Sequence, residues 1–300
     1  MKLPIIIDAD PGVDDALALI MAFEDKSLDI KLLTTVAGNV NLEHTTNNAI
    51  FLREKFGYNF PIVKGASRPL KKTYIDASDV HGEGGLGNYK YSPLKISADG
   101  DCAEDAIYET LCKSEQKIII IGLGPVTNLA NLFLKYPDAE DKVEKLYLMI
   151  GSTKGQGNIT NCAEYNAYCD PDAMQILLDL KLPIIFSPME LGHQTFIKKS
   201  IFTDRTCKTE RETMIKKMIE GTFDSIGEGS GLFGLHDPNT ILLLTNPELY
   251  NLTRCTATIN CSKEKSGQMF IVPDENGDFL LQTIKNTQDI LDCFLEKIYK

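Results

Sequence analysis

Along the first two thirds of the chain, short apolar runs alternate with stretches in which apolar residues recur every third or fourth position. Leu3 to Ala9, Ile30 to Ala37, Lys117 to Gly122, Lys145 to Ile150 and Pro183 to Ser187 have the length and apolar character of strands. Between them, Val13 to Glu24, Asn41 to Phe56, Ala103 to Lys113, Pro125 to Tyr136 and Pro171 to Asp179 carry the spacing of amphipathic helices. Pro125 and Pro171 sit where a first helical turn tolerates proline. Strands and helices in alternation predict an open, mostly parallel, doubly wound α/β sheet covered on both faces.

The pattern changes beyond Ser200. Helical spacing runs to about Ile226, a helix is predicted from His236 to Leu244, short β-like segments follow, and a last helix runs from Gln288 to the end. This predicts a helical and β-rich C-terminal elaboration, either a small cap or the far edge of the sheet. No repeat or low-complexity linker divides the chain, so residues 1–300 are read as a single domain. The glycine-rich stretch from Lys64 to Gly100, which contains HGEGGLGN, is long for a connection and predicts either a functional loop or a disordered one.

Composition narrows the partners. With 31 Lys and Arg against 42 Asp and Glu, the formal charge is −11, so the mean surface field repels polyanions and favours a small neutral ligand over nucleic acid. The N-terminal apolar run ends in carboxylates too soon for a signal core or a membrane span, and a cytoplasmic protein without a membrane partner is expected. The 8 cysteines include no CxxC pair, and free buried thiols are expected.

Chemistry concentrates where the first strand ends. Asp8, Asp10, Asp14 and Asp15 follow LPIII, with Pro11-Gly12 forcing a turn before the helix. One aspartate there would cap the helix; four crowded and desolvated ones must raise each other's pKa or be neutralised by a cation. An EF-hand loop does not fit, because counting from Asp8 puts Val13 and Leu19 where glycine and glutamate are needed. A magnesium-dependent phosphohydrolase of the haloacid dehalogenase type, with Asp8 as nucleophile, fits imperfectly, since Gly12 occupies its threonine position.

Asp8-Ala9-Asp10-Pro11-Gly12-Val13-Asp14-Asp15-Ala16 resembles the DxDPGxDDA signature of the inosine-uridine-preferring nucleoside hydrolase family. Fragments similar to that family's pattern follow in the same order: VAGN at Val36 to Asn39, HGEGGLG from His81, GPVTNLA from Gly124, and GQGN ending at Asn158. AEYN from Ala163 to Asn166, DP at Asp170, HDP at His236 to Pro238 and SGQM from Ser266 complete the set, which spans nearly the whole chain.

The resemblance implies a Rossmann-like sheet with its site beyond the carboxyl ends of the strands. It also implies calcium-dependent cleavage of ribonucleosides to free base and ribose, a step of purine and pyrimidine salvage. Asp10, Asp15, Asp237 and the Leu123 carbonyl resemble the family's calcium ligands, and an all-oxygen set of irregular geometry suits calcium better than magnesium. Asp10 resembles the general base, acting on a water whose acidity the cation raises. His236 matches a proton donor to the leaving base, a task that a near-neutral pKa suits. Asp14, Asn39, Asn166 and Asp237 are implied to grip the ribose hydroxyls, and Asn158 and Glu164 the 5′-hydroxyl end. Ile150 stands where the family commonly has methionine beneath the ribose, and His81 matches a loop motif near the substrate entrance. A homodimer or homotetramer is implied as well.

Departures from the pattern mark open points. Gly151-Ser152-Thr153 replaces a run of small residues, and the family's LD-x-T is missing around Glu190-Leu191-Gly192-His193, so His193 receives no role. Trp is absent, leaving Tyr165, Phe186 and Phe233 as aromatic candidates for the pocket. Purine against pyrimidine preference is left to loops near residues 75–90 and 223–236. A non-catalytic nucleoside or ribose binder is the remaining alternative.

Overall fold

The computed structural model describes residues 2–87, 89–225 and 232–299. Among the described residues eleven strands are formed: β1 (Leu3–Ala9), β2 (Leu28–Thr35), β3 (Ile62–Lys64), β4 (Ile118–Gly122), β5 (Val143–Met149), β6 (Ile184–Ser187), β7 (Phe196–Lys198), β8 (Leu232–Gly234), β9 (Tyr250–Asn260), β10 (Gln268–Pro273) and β11 (Phe279–Ile284). The helices are α1 (Val13–Glu24), α2 (Leu42–Phe56), α3 (Ser78–His81), α4 (Ala103–Lys113), α5 (Thr127–Lys135), α6 (Tyr165–Cys169), α7 (Pro171–Leu178), α8 (Glu190–Gln194), α9 (Lys199–Thr203), α10 (Glu210–Ser225), α11 (Asp237–Thr245) and α12 (Thr287–Ile298).

Nine strands make one sheet in the order β10-β9-β11-β6-β5-β4-β1-β2-β3. Pairing from β11 to β3 is parallel throughout, whereas β9 runs antiparallel to both its neighbours. The expected doubly wound α/β sheet is therefore present, and the C-terminal β segments are its far edge. β7 and β8 form a separate antiparallel pair.

Alternation within the strands builds a core on each face. In β1, Ile5 and Ile7 enter one core with Ile119 and Ile121 of β4, while Ile6 enters the other with Ile118 and Ile120. Residues of α1, α2, α10, α11 and α12 fill the first core, and residues of α4, α5 and α7 the second. Each such fully buried isoleucine contributes about 1.5–3 kcal/mol.

Some boundaries differ from the sequence reading for local reasons. β2 ends at Thr35, because Val36 and Ala37 are buried in the bend that follows rather than in the strand. Pro171 opens α7 as expected, but Pro125 precedes the Val126 cap of α5. The helical pattern beyond Ser200 is two helices. Thr209 Oγ1 accepts from Glu212 N at 3.1 Å and Glu212 Oε2 accepts from Thr209 N at 3.3 Å, a reciprocal cap that starts a new helix. Its expected end at Ile226 lies outside the described residues. All the cysteines are free, but only Cys169 and Cys255 are buried; Cys112 and Cys261 are exposed. Among the described residues, no helix is long and apolar enough to cross a membrane.

Candidate active site

Strand order reverses between β1 and β4, where loops leaving neighbouring carboxyl ends diverge and open a crevice. Asp10 leaves β1 there, Asp14 and Asp15 occupy the first turn of α1, Asn39 follows β2, and Leu123 follows β4. Glu164 and Asn166 come from the loop after β5 and the start of α6, and Asp237 from the first position of α11. A cavity of about 410 Å³ lies above them, lined among others by Asp14, Asn39, His81, Leu123, Asn158, Glu164, Asn166, His236 and Asp237. That volume suits a small organic ligand.

The carboxylates are held unevenly. Asp15 Oδ2 accepts from Gly12 N at 3.0 Å and Asn39 Nδ2 at 2.8 Å, and Asp10 Oδ2 accepts from Asn39 N at 2.7 Å. Asp10 Oδ1 and Asp14 Oδ1 are buried without any hydrogen-bond partner. Glycines flank the Asp10 carboxylate: a Cβ at Gly38 would stand 2.0 Å from Oδ2, and one at Gly124 would stand 2.3 Å from Oδ1. One carboxylate oxygen from each of Asp14, Asp15 and Asp237 lies within 4.8 Å of the others.

Burial, reinforced by Asp14, pushes Asp15 up to about 7. Burial likewise holds Asp10 and Asp237 well above the carboxylate range, with neighbouring aspartates adding repulsion. Orphaned, mutually repelling buried carboxylates are costly alone and are satisfied together by a hard divalent cation. The donor set thus fits a metal ion. The sequence reading put Asp10 among the ligands and Asp14 on the ribose; the tightest trio here is Asp14, Asp15 and Asp237, with the unpartnered Asp10 Oδ1 beside it.

The other expected residues fall as follows. Leu123 O accepts from Asn166 Nδ2 at 2.8 Å, which leaves one of its two lone pairs. Glu164 caps α6: its oxygens accept from Gly151 N, Asn166 N and Ala167 N at 2.8, 2.8 and 3.1 Å, and burial still raises it to about 7. His81 Nδ1 accepts from Val13 N at 3.1 Å, so a neutral ring carries its proton on Nε2. Asn158 is exposed on the rim.

His236 departs from expectation in its proton affinity. Burial pushes it down to about 4, so the ring is a neutral imidazole at pH 7 rather than one with a near-neutral pKa. Its Nδ1 is buried and unpartnered, and a Cβ at Gly192 would stand 2.3 Å from it, so the glycine makes room for the ring.

Ile150 is corrected. It is fully buried in the second core and does not line the cavity, whereas Met149, the last residue of β5, does. The cavity therefore has its methionine one position earlier than the sequence reading placed it. Phe186 is likewise core, while Tyr165 and Phe233 line the cavity. His193 and Phe196 line it too; a sequence signal existed only in their spacing and in the departure from the family pattern around them.

Two departures from that pattern meet in space. Glu190 Oε1 accepts from Ser152 Oγ, Thr153 N and Thr153 Oγ1 at 2.9, 3.0 and 2.9 Å, so the altered residues at 152–153 and at 190 form one network. Asp8, the candidate nucleophile of the phosphohydrolase reading, accepts from Thr34 Oγ1 at 2.6 Å and Asn128 Nδ2 at 2.7 Å. It ties β1, β2 and α5 together and does not line the cavity. Among the described lining residues none is Lys or Arg, an arrangement hostile to phosphate and suited to an uncharged ligand.

Sheet topology, crevice and carboxylate centre together define an α/β protein with buried acids beneath a cavity of small-ligand size. The chain belongs to the inosine-uridine preferring nucleoside hydrolase family, whose model matches residues 5–294, and is by that membership a nucleoside N-ribohydrolase. It is 35% identical over 261 residues to the non-specific ribonucleoside hydrolase RihC of Klebsiella pneumoniae subsp. pneumoniae, covering 86% of this chain and 84% of that one. The RihC of Shigella boydii is 34% identical over 266 residues, covering 88% and 86%. Among solved structures, the plant nucleoside hydrolase PpNRh1 matches the fold with a TM-score of 0.90 at 24% identity over 99% of both chains. The purine-preferring ribonucleoside hydrolase from Gardnerella vaginalis gives 0.89 at 23% identity over 98% of both.

Proposed function

We propose that the protein hydrolyses the N-glycosidic bond of ribonucleosides to free base and ribose, with calcium as cofactor. The observation that carries this reading is the pair of buried, unpartnered oxygens on Asp10 and Asp14, set beside Asp15 and Asp237 under a cavity with no Lys or Arg among its described lining residues. The relatives named non-specific ribonucleoside hydrolases support the substrate class.

Asp10, Asp15, Asp237 and the Leu123 carbonyl would hold the cation, with Asp14 close enough to join them. When bound, the ion supplies the positive charge that lets these acids ionise together and makes water in the site more acidic. Asp10 Oδ1 takes the proton of the water that attacks C1′. A C1′–O bond forms as the C1′–N bond breaks, through a transition state with oxocarbenium character. Asn39, Asn166 and Asp14 hold the ribose hydroxyls, and Asn158 with the last free lone pair of Glu164 holds the 5′ end. His236, neutral, directs a ring N–H at the departing base and stabilises its developing negative charge; the base then takes a proton from solvent water as Asp10 returns its own to solvent.

The test is direct. Protein stripped with chelator is incubated with uridine or inosine, with and without calcium, and reducing sugar is measured. Ribose release that returns with calcium supports the reading; no release from any common ribonucleoside overturns it.

A further inference from the structure

We infer that His193 and Phe196 form the platform on which the nucleobase stacks, a role that rests on the ribonucleoside reading above and extends it to purines and pyrimidines alike. Their rings lie with centroids 5.9 Å apart and planes 20° from parallel. Both line the cavity and both are exposed. Phe196 is 37% exposed, and among the described residues only it and Ile159 are exposed large apolar side chains that line the cavity. An apolar ring left in water at a cavity mouth gains most from a flat, aromatic ligand.

The cavity's chemistry also orients that ligand. Its floor presents Asp14, Asn39, Glu164, Asn166 and Asp237, groups that hydrogen-bond hydroxyls. His236 comes next, edge-on to His193 at 5.8 Å and 79°. His193 then stacks on Phe196. A ribonucleoside has the same sequence of parts: sugar hydroxyls, the scissile C1′–N bond, and a flat ring beyond it. With the sugar on the acids and the bond at His236, the base reaches His193 and Phe196.

The backbone carrying the two rings is tied to its neighbours. Thr195, between the two residues in sequence, accepts on Oγ1 from Asn239 Nδ2 of α11 at 2.9 Å, and Phe196 pairs with Gly234 across β7 and β8. Stacking reads the π-face that every base has rather than the edge that distinguishes them, so this contact accepts both base classes.

Phe196→Ala, His193→Ala and Phe196→Tyr test the platform against the wild-type enzyme, with kcat and KM measured for uridine and inosine and the inhibition constant measured for ribose. Both alanine variants are expected to lose roughly 5- to 100-fold in kcat/KM on both nucleosides. Ribose inhibition stays unchanged, because ribose carries no base, and Phe196→Tyr restores near wild-type values. Unchanged nucleoside kinetics overturns the platform, as does loss confined to one base class or a parallel shift of the ribose constant. Wild-type enzyme that cleaves neither nucleoside refutes the hydrolase reading, and the platform with it.

Discussion

If calcium fills the acidic centre, it must expel protons. In the metal-free protein Asp15 is raised from 3.8 to about 7, and Asp10 and Asp237 lie well above the ordinary carboxylate range, with burial the largest cause in each case. At about pH 7, Asp15 then holds roughly half a proton, and burial with repulsion from the neighbouring aspartates favours the protonated form of Asp10 and Asp237 in the same direction. Ligands to a cation must ionise, so binding at that pH releases protons, about half of one from Asp15 and more from Asp10 and Asp237. Calorimetric titration in buffers of different ionisation enthalpy reads this number as a slope. Stability should follow. Carboxylates with raised folded-state values add stability that is complete below 3.8 and is lost as pH rises through about 7 and beyond. The Tm of chelator-treated protein should therefore fall between about pH 5.5 and pH 8.5, and calcium at about 100 times its Kd should return roughly 2.7 kcal/mol. A slope below about half a proton, or a metal-free Tm that rises with pH over this range, would refute the reasoning.

Two substitution experiments probe the parts around that centre. Asp8→Asn keeps the acceptor oxygen that Thr34 and Asn128 use, so it should cost about 1 kcal/mol in denaturant melts and leave ribose release within a few-fold; a nucleophile at this position would lose all turnover. Ile150→Val should cost about 0.5–1.5 kcal/mol of stability with unchanged kinetics. Met149→Ala should instead raise KM for nucleosides, and the reverse pattern would restore Ile150 to the site.

Where a regular period marked the face that packs on the sheet, the sequence was informative to the residue: Leu3–Ala9, Val13–Glu24 and Ala103–Lys113 formed as expected. Their spacing follows from packing against one sheet. Short elements gave no such signal, since β3, β7 and β8 have three residues each, fewer than a period needs to declare itself. The acidic turn was legible from its own crowding of four carboxylates, whereas His236 and Asp237 came into the site only through the resemblance to the family's ordered motifs. Three misses had physical causes. Ile150 and Met149 are neighbours at a strand end, where one residue decides between core and cavity. The depressed proton affinity of His236 comes from burial by residues far away in sequence, among them Gly192. His193 and Phe196 matter through stacking in space, which spacing alone does not reveal.

The account stands or falls on Asp10 acting at the sheet's switch point. Ribose release from uridine by calcium-loaded Asp10→Asn protein, compared with wild type under single-turnover conditions, tests it most directly. A drop of roughly 10²- to 10⁴-fold with an intact fold by circular dichroism is the predicted result. Turnover within about tenfold of wild type would mean that the proton leaves the water by another route, and would contradict the central claim.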